Sequence, residues 1–327
     1  RVVFRGQGQV TAEALSRQDH WPWLTPLGRL ASGQTGYEIE LGVDALGTAL
    51  RIESGLQGMA LDLPPPFDKA AGVVLPLRLS LQPLDSPSPT VPRDELRVEL
   101  GAGQRPLLSL RYQREDVAGR TRVLRGALAV RSERPALPAQ GVRAQIDLER
   151  FDAAAWERVL DGASGLPGGD EGLAYWPSQF SLTAQRIEHA GRVFQNVVAG
   201  GTRERDRWRF SVEADELSGY VEYQPNAPQV PGQLFARLAR LDLSRQGAAE
   251  VENLLQAQPE AIPAIDLVVE RFRMGGRDLG RLEIQAINRQ AVLAARERVR
   301  EWRLHTLNLA VPEARLRASG NWAASTG

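Results

Sequence analysis

Few residues of this chain have the types and spacing that catalysis or metal binding requires. The histidines are His20, His189 and His305, and none of them stands in an H-x-x-x-H or H-x-E motif. Lys69 is the single lysine, and it lacks the flanking glycines of a phosphate-binding loop. We therefore expect no metal site and no lysine-based chemistry.

The serine and carboxylate motifs are equally weak. Ser164 lies in a Gly-Ala-Ser-Gly stretch, which lacks the G-x-S-x-G spacing of a hydrolase nucleophile elbow, and the chain has no cysteine. The loop 168–172 carries Asp170 and Glu171 but not the alternating oxygen ligands of a calcium loop. Paired carboxylates from distant strands could serve glycoside hydrolysis, but nothing in the sequence points to them. We expect a non-enzymatic protein without a cofactor.

Arginines cluster twice, each time beside a tryptophan. The first cluster is Arg203, Arg205, Arg207 and Arg209; the second is Arg296, Arg298, Arg300 and Arg303. Such clusters could bind phosphate through paired hydrogen bonds, for example on a lipid headgroup. Acidic residues are interleaved with the arginines, however, which favours a solvated hairpin tip.

Charge and hydropathy exclude two further classes of protein. The 40 basic and 40 acidic residues give a formal net charge of +0, so we expect no nucleic-acid partner. The most apolar stretch, 70–81, is interrupted by Pro76 and Arg78 and is too short to span a bilayer. The chain opens without a charged and apolar leader, so we expect it to be a segment of a longer protein.

The elements that would position any site are predominantly β-strands. Apolar and polar residues alternate from end to end, which places one apolar face on each predicted strand. We expect antiparallel strands with one dry face. The residues predicted to line that face are Leu50, Ile52, Leu61, Leu63, Leu108, Leu110, Tyr112, Ile146, Leu148, Leu182, Phe210, Val212, Leu267, Leu282, Ile284 and Leu304.

The predicted helices are short. They are predicted at 12–17, 23–30, 151–160 and 248–256, and Asp152 is placed to cap the third of these before three alanines. The Gly-rich stretch 162–172 is the best candidate for a domain boundary. We therefore expect one β-segment at 1–161, with its helices near 12–30 and 151–160, and a second at 173–327.

The second segment contains an internal repeat. Residues 180–201 align without a gap with 265–286, and a Trp-Arg pair follows in both copies, so the repeat extends over 180–223 and 265–322. Repeated strand units of this kind form arrays in which neighbours bury each other's apolar faces. The fold class expected is all-β: an elongated antiparallel repeat meander with a few short α-helices.

So many one-sided strands with few helices to cover them must close on themselves, pack on a second sheet or leave an open groove. The same alternation is expected of a closed sandwich core, so this choice stays open at each strand. A single sheet of roughly 18 strands at about 4.8 Å spacing would extend ~85 Å, enough for several acyl chains.

Several stretches resemble the YhdP-like proteins of the AsmA-like family, the bacterial bridge-like lipid transfer proteins. The most specific is 54–69, Ser-x-Leu-x-Gly-x-x-Leu-x-Leu-Pro-x-Pro-Phe-x-Lys; the others are 30–37, 262–282 and the closing 302–322. The resemblance spans most of the chain and carries over no catalytic motif.

This resemblance implies a β-groove, open along one side like a folded taco, within a large periplasmic protein anchored to the inner membrane by a segment outside this chain. It implies that the groove moves phospholipid between the inner and outer membranes and supports outer-membrane integrity. The implied partners are phospholipid acyl chains and the rest of the same polypeptide. The alternative is a non-catalytic periplasmic scaffold that binds other envelope-biogenesis proteins at exposed patches or sheet edges.

Overall fold

The computed structural model describes residues 2–17, 28–44, 47–86, 88, 90–162, 174–189, 191–226, 230–243, 262–292, 298–311 and 314–323. These residues form 19 strands and two short helices, and nearly all the strand pairs are antiparallel. The all-β fold class, with an antiparallel meander and short helices, is confirmed. Contacts between Cα atoms divide the chain into two units, Arg1–Thr183 and Ala184–Gly327.

The first unit is one meander that ends in a parallel step. Neighbouring strands pair in the order β1-β2-β3-β5-β6-β7-β8-β9, and only β8 and β9 are parallel. Its elements are β1 (Val2–Thr11), α1 (Ala12–Arg17), β2 (Ala31–Asp44), β3 (Gly47–Ser54), β4 (Met59–Leu61), β5 (Leu77–Leu84), β6 (Arg93–Leu100), β7 (Leu108–Val117), β8 (Arg120–Val130), β9 (Gly141–Asp152) and α2 (Ala153–Gly162).

Strand β10 (Gln179–His189) crosses the division, and the second unit repeats the same plan. The pairing order is β11-β12-β13-β14-β15-β17-β18-β19, with β14 and β15 parallel. The strands are β11 (Arg192–Glu204), β12 (Arg207–Glu213), β13 (Leu217–Gln224), β14 (Gln233–Leu243), β15 (Ala264–Met274), β16 (Arg277–Asp278), β17 (Arg281–Val292), β18 (Arg298–Val311) and β19 (Ala314–Ala323).

Both copies of the predicted repeat contain two long strands, and the second copy also contains the two-residue strand β16. Residues 180–201 belong to β10 and β11, and residues 265–286 belong to β15, β16 and β17. Gly191 and Gly276, aligned in the repeat, both have positive φ angles, 72° and 79°, which suit glycine at a tight turn. Trp208 then lies in β12 and Trp302 in β18.

The helix predictions differ in outcome. Helix α1 has the predicted bounds, and α2 begins at Ala153, two residues later than the predicted 151–160, because β9 continues to Asp152. Asp152 caps α2: its Oδ1 accepts the backbone N–H of Ala155 at 2.9 Å. The predicted helix at 248–256, most of the one at 23–30 and most of the boundary loop 162–172 lie outside the described residues.

Candidate functional site

One face of the first unit is apolar from strand to strand. Because partners in register point to the same side of a sheet, rows of paired residues show what each face presents. Two adjacent rows each cross seven strands from β2 to β9, and we call the surface that they form the apolar face. The rows are Ile39, Ile52, Leu79, Val98, Leu110, Leu128 and Ala144, and Leu41, Leu50, Leu81, Leu96, Tyr112, Gly126 and Val142.

The opposite face of the same sheet is charged. Arg5 pairs with Glu40 at 3.0 Å across β1 and β2, and further ion pairs join β3, β5, β6 and β7. At the centre, Glu95 is only 3% exposed and accepts hydrogen bonds from Arg97, Arg111 and Gln113. Burial by itself raises the pKa of Glu95, but these three hydrogen bonds outweigh burial and hold the pKa below its usual value. Paired charged side chains therefore line this side of the sheet.

The crossover between β8 and β9 lies over the charged face. Parallel strands require the chain to return along the sheet, here through residues 131–140. Arg134 Nε donates to Glu99 Oε1 at 2.7 Å, and Arg131 Nη2 donates to Glu149 Oε1 at 2.8 Å. Both glutamates point to the charged side, where Ala129 is fully buried. The connection therefore leaves the apolar face uncovered.

The second unit has the same two-sided pattern. Rows of apolar partners cross seven strands from β12 to β19. They are Phe210, Val221, Ala236, Leu267, Ile284, Leu307 and Ala318, and, beside it, Val212, Gly219, Leu238, Val269, Leu282, Leu309 and Leu316. The register requires a β-bulge between Ser218 and Gly219 to keep the apolar residues on one side.

Most of the predicted lining residues are partly buried rather than sealed in a core. The partly buried ones are Leu50, Ile52, Leu61, Leu63, Leu108, Leu110, Ile146, Leu182, Phe210, Leu267, Ile284 and Leu304. The buried ones are Tyr112, Leu148, Val212 and Leu282. In the second unit, Leu282 belongs to a closed cluster with Val269 and Phe272, so the apolar side is a packed core at that point. Val142 and Ala144 of the first unit are buried as well, whereas Ile39, Leu79 and Leu96 of the same rows are partly exposed.

Leu63 is the exception to the predicted strand pattern. The strand there ends at Leu61, which pairs with Ala31 of β2, and the three prolines from Pro64 to Pro66 follow. Proline has no N–H to donate to a ladder, so the apolar alternation continues without a strand. Leu63 instead lines a cleft beside α2.

The stretch 54–71, which we call the motif loop, is organised around Lys69. The Nζ atom donates to the carbonyl oxygens of Leu56 at 2.7 Å, Met59 at 2.6 Å and Ala70 at 3.1 Å. The side chain is buried, and this burial lowers the pKa of the ammonium group below 10.5. Lys69 therefore holds the loop together and is not available as a nucleophile.

The motif loop meets α2 across the sheet. The rings of Phe67 and Trp156 pack edge to face with centroids 5.7 Å apart. The loop is tied to β2 through Ala31 and Leu61, and α2 follows β9 directly. In a flat sheet β2 and β9 would lie ~29 Å apart, six spacings of about 4.8 Å. The sheet of the first unit therefore curls and brings its two flanks together.

A short segment, 174–178, covers part of the apolar face. Tyr175 packs edge to face on Tyr112 with centroids 5.2 Å apart, and its carbonyl accepts the Tyr112 hydroxyl at 3.0 Å. Ser178 N–H donates to the carbonyl of Val142 at 2.8 Å. Burial, and to a lesser extent the charge of Tyr175, raises the pKa of Tyr112 to about 12. At this point the face is closed.

Two of the three histidines and the single lysine lie in the described part of the chain. His189 and His305 are exposed, and the described residues contain no group of three or more side chains that could hold a metal ion. His20, Ser164 and the loop 168–172 lie outside the described part of the chain.

The first arginine cluster forms the tip of the β11–β12 hairpin. Arg209 pairs with Glu204 at 3.2 Å and with Glu222 at 3.6 Å, and Arg203 stacks over the Trp208 ring at 5.7 Å. These charges are balanced locally. Arg296 of the second cluster lies outside the described residues.

Sequence reasoning missed an arginine-lined cleft in the first unit. Arg150 continues the alternation of Ile146 and Leu148 along β9, and Arg158 follows in α2, but Arg29 comes from a distant part of the chain. The signal present in the sequence was the change from apolar to charged residues at the end of that alternation.

The comparisons with known proteins identify the family. No described helix is long and apolar enough to cross a membrane. No curated protein and no solved structure matches the chain. The wider AsmA-like relationship stays a prediction. The family model described as "YhdP protein" matches residues 1–327, and the chain therefore belongs to the YhdP family.

Proposed function

We propose that this chain is a non-enzymatic segment of a lipid conduit in the bacterial cell envelope. Membership in the YhdP family points to the envelope. The observation that carries the proposal is the pair of apolar rows that run unbroken across seven strands of each unit. Such a face, which has charged side chains on the opposite side of the sheet, suits acyl chains better than a polar ligand.

The energetics favour sliding over capture. Each CH₂ group removed from water contributes roughly 0.8 kcal/mol, so a phospholipid tail gains several kcal/mol on any part of such a face. Because the leucine, isoleucine and valine side chains of a row are chemically similar, the binding free energy of an acyl chain has no single deep minimum along it. Lipid is held and can still move along the rows.

The proposed setting is the periplasm, between the inner and outer membranes. The ligands are phospholipid acyl chains, and the immediate partner is the rest of the same polypeptide, with an inner-membrane anchor outside this chain. No cofactor, metal ion or nucleic acid takes part. In this proposal, phospholipid transfer supports the integrity of the outer membrane.

A second function has one specific observation in its favour. Strand β1 pairs with β2, and its Val2, Val3 and Phe4 side chains are exposed. Exposed apolar side chains on a strand can bind another protein chain. On this account the chain is a scaffold for other envelope proteins.

The two functions separate with a pair of neighbouring substitutions on β12. Phe210 lies in an apolar row, and Ser211 points to the other side of the same strand. We expect Phe210→Asp to abolish transfer of fluorescent phospholipid between liposomes, because a charge in the row blocks the path. Ser211→Asp is the matched control and keeps transfer.

Circular dichroism of both variants confirms that each is folded. Transfer that survives in the folded Phe210→Asp variant contradicts the conduit. A wild-type chain that transfers no lipid at all but binds an added apolar β-strand peptide supports the scaffold.

A further inference from the structure

A cleft of about 580 Å³ lies between the motif loop and α2. Three arginines line it, Arg29, Arg150 and Arg158, together with apolar residues that include Leu63 and Val159. The three arginine residues are exposed to solvent, whereas Leu63 and Val159 are partly buried. The cleft is therefore amphipathic, with exposed cationic side chains and partly buried apolar ones.

The walls of this cleft are fixed by the structure around them. One wall is the motif loop, which Lys69 holds through three carbonyl oxygens and which the N–H of Asp62 ties to the carbonyl of Leu30 at 2.7 Å. The other wall is α2, which Asp152 caps and which the ring of Trp156 fixes against Phe67. A site between two such walls keeps its shape before a ligand binds.

The charges in the cleft favour a ligand with an anionic group. Two carboxylates, Asp62 and Asp152, share it with the three arginines, but the Oδ1 of Asp152 is already engaged in the helix cap. Arg158 Nε donates a hydrogen bond to the carbonyl of Ala154 at 3.3 Å, and the side chain is exposed. The planar guanidinium fork suits the oxygens of a phosphate group.

The cleft continues the apolar face. Along β9, Ala144, Ile146 and Leu148 point to the apolar side, and Arg150 and Asp152 follow at the same two-residue period. A lipid whose tails lie on the apolar face would therefore bring its headgroup to the arginines. Charged groups placed where an apolar surface ends match the structure of a phospholipid.

We propose that this cleft binds the phosphate-bearing headgroup of a phospholipid while its acyl chains lie on the apolar face of the first unit. The inference rests on the proposed function, because it assigns the headgroup position of the lipid that the conduit carries. It gives a role to the motif loop, which the apolar rows do not use.

The test is a binding titration of the whole chain with dihexanoyl phosphatidylethanolamine below its micelle concentration. We compare the wild type with Arg158→Gln and with Arg120→Gln, a matched control that removes an exposed arginine at the β7–β8 hairpin. Loss of one charge-assisted contact to phosphate should weaken binding by about tenfold in Arg158→Gln. The Arg120→Gln variant should stay within about twofold of the wild type.

Two further ligands separate the sources of the signal. Monocaproin, a short acylglycerol without phosphate, should bind the wild type and Arg158→Gln equally, because it uses only the apolar face. Glycerol 3-phosphate should compete weakly with the short-chain lipid. If glycerol 3-phosphate or inorganic phosphate competes as strongly as the lipid itself, the cleft is a site for free phosphate and the proposal is wrong.

The remaining outcomes are also decisive. Equal affinity of wild type and Arg158→Gln for the phospholipid overturns the headgroup site but leaves the conduit intact. Arg29→Gln, on the opposite side of the cleft, provides a second variant should Arg158→Gln alter the fold of α2. A wild-type chain that binds neither lipid overturns the proposed function together with this inference.

Discussion

The ring of Tyr112 lies directly against the backbone of Gly126, its cross-strand partner in β8. A Cβ atom at position 126 would lie 2.5 Å from the Tyr112 Cδ1 atom and 3.2 Å from a methyl group of Val142. Only glycine leaves room for the tyrosine to lie flat in the row of the apolar face. The same ring supports Tyr175 from the segment that covers this point.

We expect Gly126→Ala to destabilise the first unit by about 1–3 kcal/mol, since the added methyl group must displace the tyrosine ring or the strand. Urea unfolding followed by tyrosine and tryptophan fluorescence measures the change. Gly72→Ala is the matched control: no heavy atom lies within 4 Å of its Cβ position. Its expected effect is within about 0.5 kcal/mol. A Gly126→Ala variant as stable as the wild type would show that Tyr112 does not pack as described.

Stability should fall in alkali because of Tyr112. Its pKa is raised to about 12 in the folded chain, against about 10 for an unperturbed tyrosine, so above pH 10 the unfolded chain loses this proton first. The stabilisation is complete below pH 10 and is lost as the pH rises towards 12. At pH 11 the ionisation of Tyr112 should lower the free energy of unfolding by about 1.4 kcal/mol relative to neutral pH.

The comparison with Tyr112→Phe isolates this residue from the other tyrosines. The variant should be less stable than the wild type by about 1 kcal/mol at pH 8, because it loses the hydrogen bond to Tyr175. Its unfolding free energy should fall less than that of the wild type between pH 8 and pH 11. Parallel losses in both proteins would mean that Tyr112 titrates normally.

The contact between Phe67 and Trp156 should contribute coupling energy between the two flanks of the first unit. A double-mutant cycle with Phe67→Ala and Trp156→Ala should give a coupling of about 0.5–1.5 kcal/mol, the range for edge-to-face aromatic pairs. The matched cycle of Phe67→Ala with Phe4→Ala, on the exposed strand β1, should be additive. Additivity in both cycles would contradict a closed flank.

Lys69 should be protected from amine-reactive labels in the native chain. Burial lowers its pKa, which by itself raises the fraction of reactive neutral amine, but the three carbonyl contacts and the buried position block the reagent. We expect labelling at least about tenfold slower than in urea, with exposed Arg120→Lys as the rapidly labelled control. Mass spectrometry of the labelled peptides gives both rates. Equal native rates at Lys69 and at position 120 would show that the motif loop is open.

The faces of the sheets follow from the sequence because the period of a strand is two residues. Leu108, Leu110 and Tyr112 alternate with polar neighbours, and the structure places all three on the apolar side of β7. The register of each pair then builds the rows without further information. The cap of α2 by Asp152 follows from local sequence in the same way.

The alternation of apolar and polar residues does not predict whether an apolar face is open or which distant residues are in contact. A closed sandwich gives Leu282 and Leu110 the same pattern, although the structure buries the first and leaves the second partly exposed. The cleft brings Arg29 to Arg150 and Arg158, which lie far from it along the chain, and they meet only after the sheet curls. A buried lysine that holds carbonyl groups is rare enough that composition alone does not indicate it.

Native mass spectrometry of the purified chain, followed by extraction and identification of any bound molecule, tests the central claim most directly. The conduit account predicts phospholipid bound at a reproducible stoichiometry and lost from the folded Phe210→Asp variant. A wild-type chain that is purified free of lipid and takes up no added phospholipid would contradict it.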